Sequence, residues 1–126
     1  MLSLFMFIIP GLFLTGNRKF ALEEVGWNAY SGLKGSENDQ RQAVKYFFDY
    51  LEKAPDRLEF MSWFLLHDGT EKDCRKTAET FIEPDDPILK NEEFMSPFSD
   101  FICYLGLIRS DGTPREGWNE FIERSG

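Results

Sequence analysis

The sequence predicts an α/β chain whose elements run β-α-β-loop-α-α, with its two strands parallel. Three observations lead there. Residues 20–25 and 58–66 are short, largely apolar runs of strand length bounded by polar residues. Between them, apolar side chains recur at helical spacing. Beyond them, the chain turns polar for some thirty residues before two more amphipathic stretches. Two strands joined by one helix make a βαβ unit, whose crossover is right-handed as a rule.

Each element has its own signals. The first strand, 20–25, ends in Glu23-Glu24-Val25 and meets Gly26, which gives the backbone freedom to turn sharply into a loop. The helix over 36–54 opens on Ser36, a good N-cap. Glu37 and Asp39 sit in its first turn, where the helix dipole favours acids. Gln40, Ala43, Val44, Phe47, Phe48 and Leu51 repeat along one face, and Pro55 stops it. The second strand, 58–66, is apolar almost throughout, as expected for a strand covered on both faces. Residues 67–95 read as a long polar connection, helical near Asp73–Phe81; loops of that length are usually functional. Ser96-Pro97 then opens a helix with Phe98, Phe101, Ile102 and Leu105 on one face and Gly106 at its C′ position. Asp111-Gly112-Thr113-Pro114 makes a turn, and a last short helix buries Trp118, Phe121 and Ile122. Tyr104 is also assigned to the core.

Composition narrows the partners. The net charge is −8, which argues against nucleic acid, because phosphate binding needs clustered Lys and Arg. Aromatics make up 16% with thirteen Phe, too many for a disordered chain. No low-complexity segment or internal repeat is evident. His67 is the only imidazole and no metal-ligand spacing occurs, so no metal or cofactor is implied. Residues 1–17 form an apolar N-terminal segment. It is short for a membrane span, which needs about 20 residues. It matches a signal-peptide apolar region in length but lacks the basic start. Three readings stand: signal-like, the start of a fragment, or a membrane anchor. Cys74 and Cys103 permit one pair. The reading favoured by their neighbours is two separate thiols, Cys103 buried in a helix and Cys74 in a loop. The alternative is a disulfide closing a loop of about thirty residues, worth roughly 3–4 kcal/mol in the chain-entropy model.

The stretch Arg18-Lys19-Phe20-Ala21-Leu22-Glu23-Glu24-Val25-Gly26-Trp27 carries the chemistry. A carboxylate at a strand's end, followed by Gly and an aromatic, puts an acid on a rigid support beside a flat apolar face. It resembles the seventh strand of the retaining (β/α)8 glycoside hydrolases. Leu58-Glu59-Phe60-Met61-Ser62-Trp63-Phe64-Leu65-Leu66-His67-Asp68 is similar to that clan's eighth strand. Leu105-Gly106-Leu107 with Asp111-Gly112-Thr113-Pro114-Arg115-Glu116-Gly117-Trp118 resembles its closing segment. The resemblance covers roughly 18–124 and implies that 18–126 is the C-terminal part of a glycosidase barrel, a partial TIM-barrel holding the last two βα units. It implies that Glu24 is the catalytic nucleophile for O-glycosyl bonds. It also implies that Trp27, Tyr30, Trp63 and His67 bind substrate, and that the partner is an oligo- or polysaccharide.

A full barrel takes about 250 residues, and this chain has 126. The clan's acid/base lies on the fourth strand in an Asn-Glu pair. Asn91-Glu92 and Asn119-Glu120 lie in a polar loop and a helix, so neither takes that role. The resemblance therefore implies a fragment with half a site, inactive by itself, that self-associates or joins a missing N-terminal barrel half. The setting it implies is extracellular or the cell envelope. The alternatives are a small self-associating or glycan-binding domain without catalysis.

Overall fold

The computed structural model describes residues 17–126, so the apolar segment read above lies, apart from Asn17, outside the described residues. The fold is mixed α/β. Strand β1 (Phe20–Val25) pairs in parallel with β2 (Leu58–Trp63), and helix α1 (Glu37–Lys53) joins them. Helices α2 (Glu71–Thr80), α3 (Glu92–Cys103) and α4 (Glu116–Ser125) follow. Short 3₁₀ turns occupy Ser31–Leu33 and Pro87–Lys90.

Helix α1 forms as its sequence demands. The Ser36 hydroxyl accepts from the Asp39 amide at 3.0 Å and donates to the Asp39 carboxylate at 2.6 Å. Gln40, Ala43, Val44 and Phe47 form the buried face at helical spacing. Val44 and Phe47 are almost wholly enclosed, each contributing about 1.5–3 kcal/mol of apolar burial. Phe47, Phe48, Phe121, Trp118 and Trp63 make one aromatic cluster between α1, α4 and the sheet. A second core gathers Cys74, Ala78, Met95, Ile102 and Leu105 under α2 and α3.

Four expectations need correction. Strand β2 ends at Trp63, not Leu66. Beyond Phe64, whose amide still reaches the Val25 carbonyl, Leu66 O accepts from the Leu107 and Ile108 amides, so the chain leaves β1 for the closing segment. Helix α3 starts at Glu92, not at Ser96, because the Asn91 side chain caps the Glu93 amide at 3.1 Å. Pro97 then falls inside the helix and removes one backbone bond. The buried face of α3 is Met95, Ser99 and Ile102, and Phe101 is exposed. Finally, Cys74 and Cys103 are bonded to each other, and Cys74 is a buried α2 residue, not a loop thiol. The spacing of Cys74 and Ala78 places both on the α2 face that meets α3.

Smaller departures follow the same logic. Gly106 is not a left-handed helix terminator. Its backbone lies so close to the loop after β2 that a β-carbon there would sit 2.5 Å from the Asp68 nitrogen. In α4, Ile122 is exposed, while Gly117 and Glu120 are buried. Trp118 and Tyr104 are half-buried. The turn at Asp111–Thr113 forms as read, with Gly112 at φ +85° and the Asp111 carboxylate accepting from Thr113.

Candidate functional site

The C-terminal ends of the two strands carry the site-like features. Leu22 pairs with Met61 and Val25 with Trp63, so Glu23 and Glu24 together oppose Ser62. That is a β-bulge, the device that re-aims a side chain near the end of a strand. Glu24 has φ +59°, the left-handed region a Glu seldom occupies. The strained residue is therefore the carboxylate itself; Gly26, read as the turning point, has no positive φ. Glu23 and Glu24 are both exposed.

The loop after β1 is fixed from beneath. Asn28 is buried; its amide nitrogen donates to Phe101 O at 2.7 Å, and its oxygen accepts from the Tyr30 amide at 2.8 Å. The Gln40 side-chain nitrogen donates to the carbonyls of Trp27 (3.1 Å) and Gly106 (3.0 Å), and to Leu105 at 3.3 Å. Gln40 is fully buried, and its own amide oxygen has no partner among the described residues. The loop after β2 is fixed by a buried ion pair. Arg115 meets Asp68 at 2.6 Å, with side-chain exposures of 3% and 5%. Arg115 also donates to Gly106 O at 2.7 Å, and Asp68 accepts from the Gly106 amide at 2.9 Å. Glu37 approaches the same guanidinium at 3.8 Å and pairs with Arg109. The Arg115 guanidinium lies 5.6 Å over the Tyr104 ring.

The residues singled out by sequence divide into two groups. Trp27 is half-buried at the loop after β1, and His67 is exposed just past β2, its backbone bridged to Ile108. Glu24 and Trp27 lie at the end of β1, and His67 lies four residues beyond β2, beside the closing segment. Tyr30 instead stacks on Tyr104, 4.5 Å between centroids. Trp63 packs edge-on against Phe47 of α1 at 5.8 Å, on the helix side of the sheet. Its indole nitrogen is buried without a partner among the described residues. Both Asn-Glu pairs set aside above have structural occupations. Glu92 forms two bonds to Arg75, at 2.8 and 2.9 Å, and Glu120 is held by Arg41 at 3.1 Å.

Sequence reasoning missed Asn28 and Arg115, and took His67-Asp68 for a turn past the second strand without the ion pair that Asp68 makes. Gln40 carried a signal, being an amide on an otherwise apolar helix face, but its partners come from two distant segments, the loop after β1 and residues 105–106. The carboxyls held below the usual range lie elsewhere. Asp49 is lowered by its bond from Arg124, Asp73 by Thr70, Glu92 by Arg75, and Asp111 by Thr113. None belongs to β1 or the loop after it. Among the described residues, no group of three or more His, Cys, Asp or Glu could hold a metal ion. No described helix is long and apolar enough to cross a membrane. Compared with protein-family models, curated proteins and solved structures, the chain matches none.

Proposed function

We propose that residues 18–126 are carbohydrate-active and form the last two βα units of a retaining glycosidase barrel, a partial TIM-barrel carrying the nucleophile half of the site. The observation that supports this best is Glu24, held left-handed in a bulge at a strand's end. Outliers of that kind cluster at sites where a side chain must be aimed. The parallel βαβ order adds support. Glu24 is the nucleophile, Trp27 the sugar platform, and His67 a polar contact beyond the end of β2. Trp63 and Tyr30, engaged with Phe47 and Tyr104, serve by shaping the support beneath. The ligand is a neutral oligo- or polysaccharide. The disulfide fits an extracellular or cell-envelope setting.

Retaining chemistry needs a second carboxylate about 5–5.5 Å from the first. The missing partner is general acid help worth about 10²–10⁴-fold. The chain by itself is therefore inactive, and the rest of the barrel or another copy completes it. A second reading is a small self-associating or glycan-binding domain without catalysis. It draws on the two-stranded sheet, where Phe60 is 49% exposed and, among the described residues, each strand pairs along one edge alone.

Titration with a panel of neutral oligosaccharides tests both. Binding lost in both Trp27→Ala and Glu24→Ala supports the first reading, and binding that survives Glu24→Ala supports the second. No binding to any of the panel rejects the carbohydrate reading. An aryl glycoside with a good leaving group should not turn over on pure monomer. Turnover abolished by Glu24→Gln would show that a second carboxylate is at hand.

A further inference from the structure

Helix α3 has a buried apolar face and, beside it, a second apolar stripe of which Phe98 alone packs partly against the core. Met95 and Ile102 face α2 and are buried. Phe94, Phe98 and Phe101 follow at i, i+4 and i+7, along a second stripe. Phe94 and Phe101 are each 42% exposed. Phe81, just past α2, is 56% exposed, and its ring lies 6.2 Å from Phe98, which lies 5.6 Å from Phe94. Beside these rings runs a groove of about 750 Å³, lined by Phe81, Ile82, Pro84 and Leu89 with Glu79 and Glu83. Phe98 packs partly against the core, and the two rings beside it, Phe81 and Phe94, are left largely in water at a cost in apolar hydration.

The hairpin that bears them is rigid. The Cys74–Cys103 bond ties α2 to α3, and Arg75 clamps Glu79 and Glu92 while also reaching Leu89 O at 3.3 Å. A surface held in place before binding loses little freedom when it binds.

Charge decides what fits. From Glu71 to Phe98 there are eight acids and four bases, so this segment carries half of the net −8 of the chain. Within the groove Lys76 stands beside Glu83 while Glu79 is paired with Arg75, so the excess acid belongs to the surrounding segment. A second copy would bring the same acidic rim and be repelled. A sugar would find hydrogen-bonding side chains, Lys76, Glu79, Thr80 and Glu83, only in the groove, and none on the rings themselves. A cationic segment with an apolar face satisfies both the rings and the rim.

We propose that the Phe81–Phe94–Phe98 face and its groove are a docking surface for a basic amphipathic peptide segment of another protein. The probe is a fluorescein-labelled helical peptide of Leu and Lys, with its Leu residues on one face. A scrambled peptide of the same composition is the control, and fluorescence anisotropy on the full chain is the readout. Phe81→Ser and Phe94→Ser change exposed residues, and circular dichroism verifies that the fold is retained. The expected result is saturable binding of the amphipathic peptide, about tenfold weaker for the scrambled one, about tenfold weaker in the double Phe variant, and weakened by salt. Equal binding of both peptides, or binding untouched by the Phe changes, overturns the proposal. So does a concentration-dependent dimer lost on Phe81→Ser, which gives the face to a second copy. Binding of a neutral oligosaccharide lost on the same change would give it to sugar.

Discussion

The Asp68–Arg115 pair should dominate the stability of the strand ends, and breaking it from either side tests this. Both side chains are about 95% enclosed and 2.6 Å apart, so each ion depends on the other in place of water. Removing one partner of such a pair typically costs about 3–5 kcal/mol. Asp68→Ala should fall near the lower end, because Gly106 O and Glu37 still face the guanidinium. Arg115→Leu should fall higher, leaving the carboxylate with the Gly106 amide as its remaining bond. A domain's whole stability is about 5–15 kcal/mol, so either change removes a large part of it. In Asp68→Ala with Arg115→Leu, neither partner of the pair remains to be stranded. The double variant should cost less than the two single losses added, with a coupling of about 1–3 kcal/mol. Urea unfolding followed by tryptophan fluorescence reads this directly, provided that the slope with denaturant is unchanged. Losses below about 1 kcal/mol for both single variants would mean the pair is open to water, and strict additivity would mean it is no pair at all.

Three further outcomes follow from other features. Glu24→Gly should raise stability by about 1 kcal/mol by relieving the left-handed backbone, and Glu24→Val should lower it; thermal unfolding of the two variants checks the order. Replacing Cys74 and Cys103 by Ala, or reducing the bond, should cost roughly 3–4 kcal/mol by the loop-closure argument, measured by urea unfolding with and without reductant. Asp49, Asp73, Glu92 and Asp111 are all held below their ordinary values, so the unfolded chain takes up protons first. Their stabilisation is complete only well above the unfolded values, from about pH 5 to 6 upward, and is lost as pH falls through the lowered folded values. Arg75→Gln should remove the share belonging to Glu92 and flatten that acid limb in a pH series of melts.

What the sequence made legible was local. Ser36, the Ala43–Phe47 spacing and Pro55 define α1 without reference to anything distant, and its bounds agree within a residue at each end. The end of β2 was illegible because Leu66 is captured by Leu107 and Ile108 from the far end of the chain. The start of α3 was misplaced because Asn91 and Ser96 are both good caps. The earlier one prevails where Met95 can meet the buried face of α2. Glu24 was legible as a strand-end acid, but nothing in Glu-Glu-Val-Gly announces that the Glu, and not the Gly, goes left-handed. Trp63 was ambiguous for a simple reason: alternation along a strand tells which residues share a face, not which face meets the helix.

The closing segment has a consequence for how the chain is made. Phe121 lies against Phe47 and Phe48, Arg124 reaches Asp49, and Glu120 reaches Arg41. All of these partners leave the ribosome before residues 120–124 do, and wait for them. At about 5–20 residues per second, the strand–helix–strand unit spends on the order of ten seconds without its cover. During that interval its rings are open to chaperones and its backbone to proteases. The unit is closed only once α4 has emerged, so a chain interrupted before residue 120 would leave those rings uncovered.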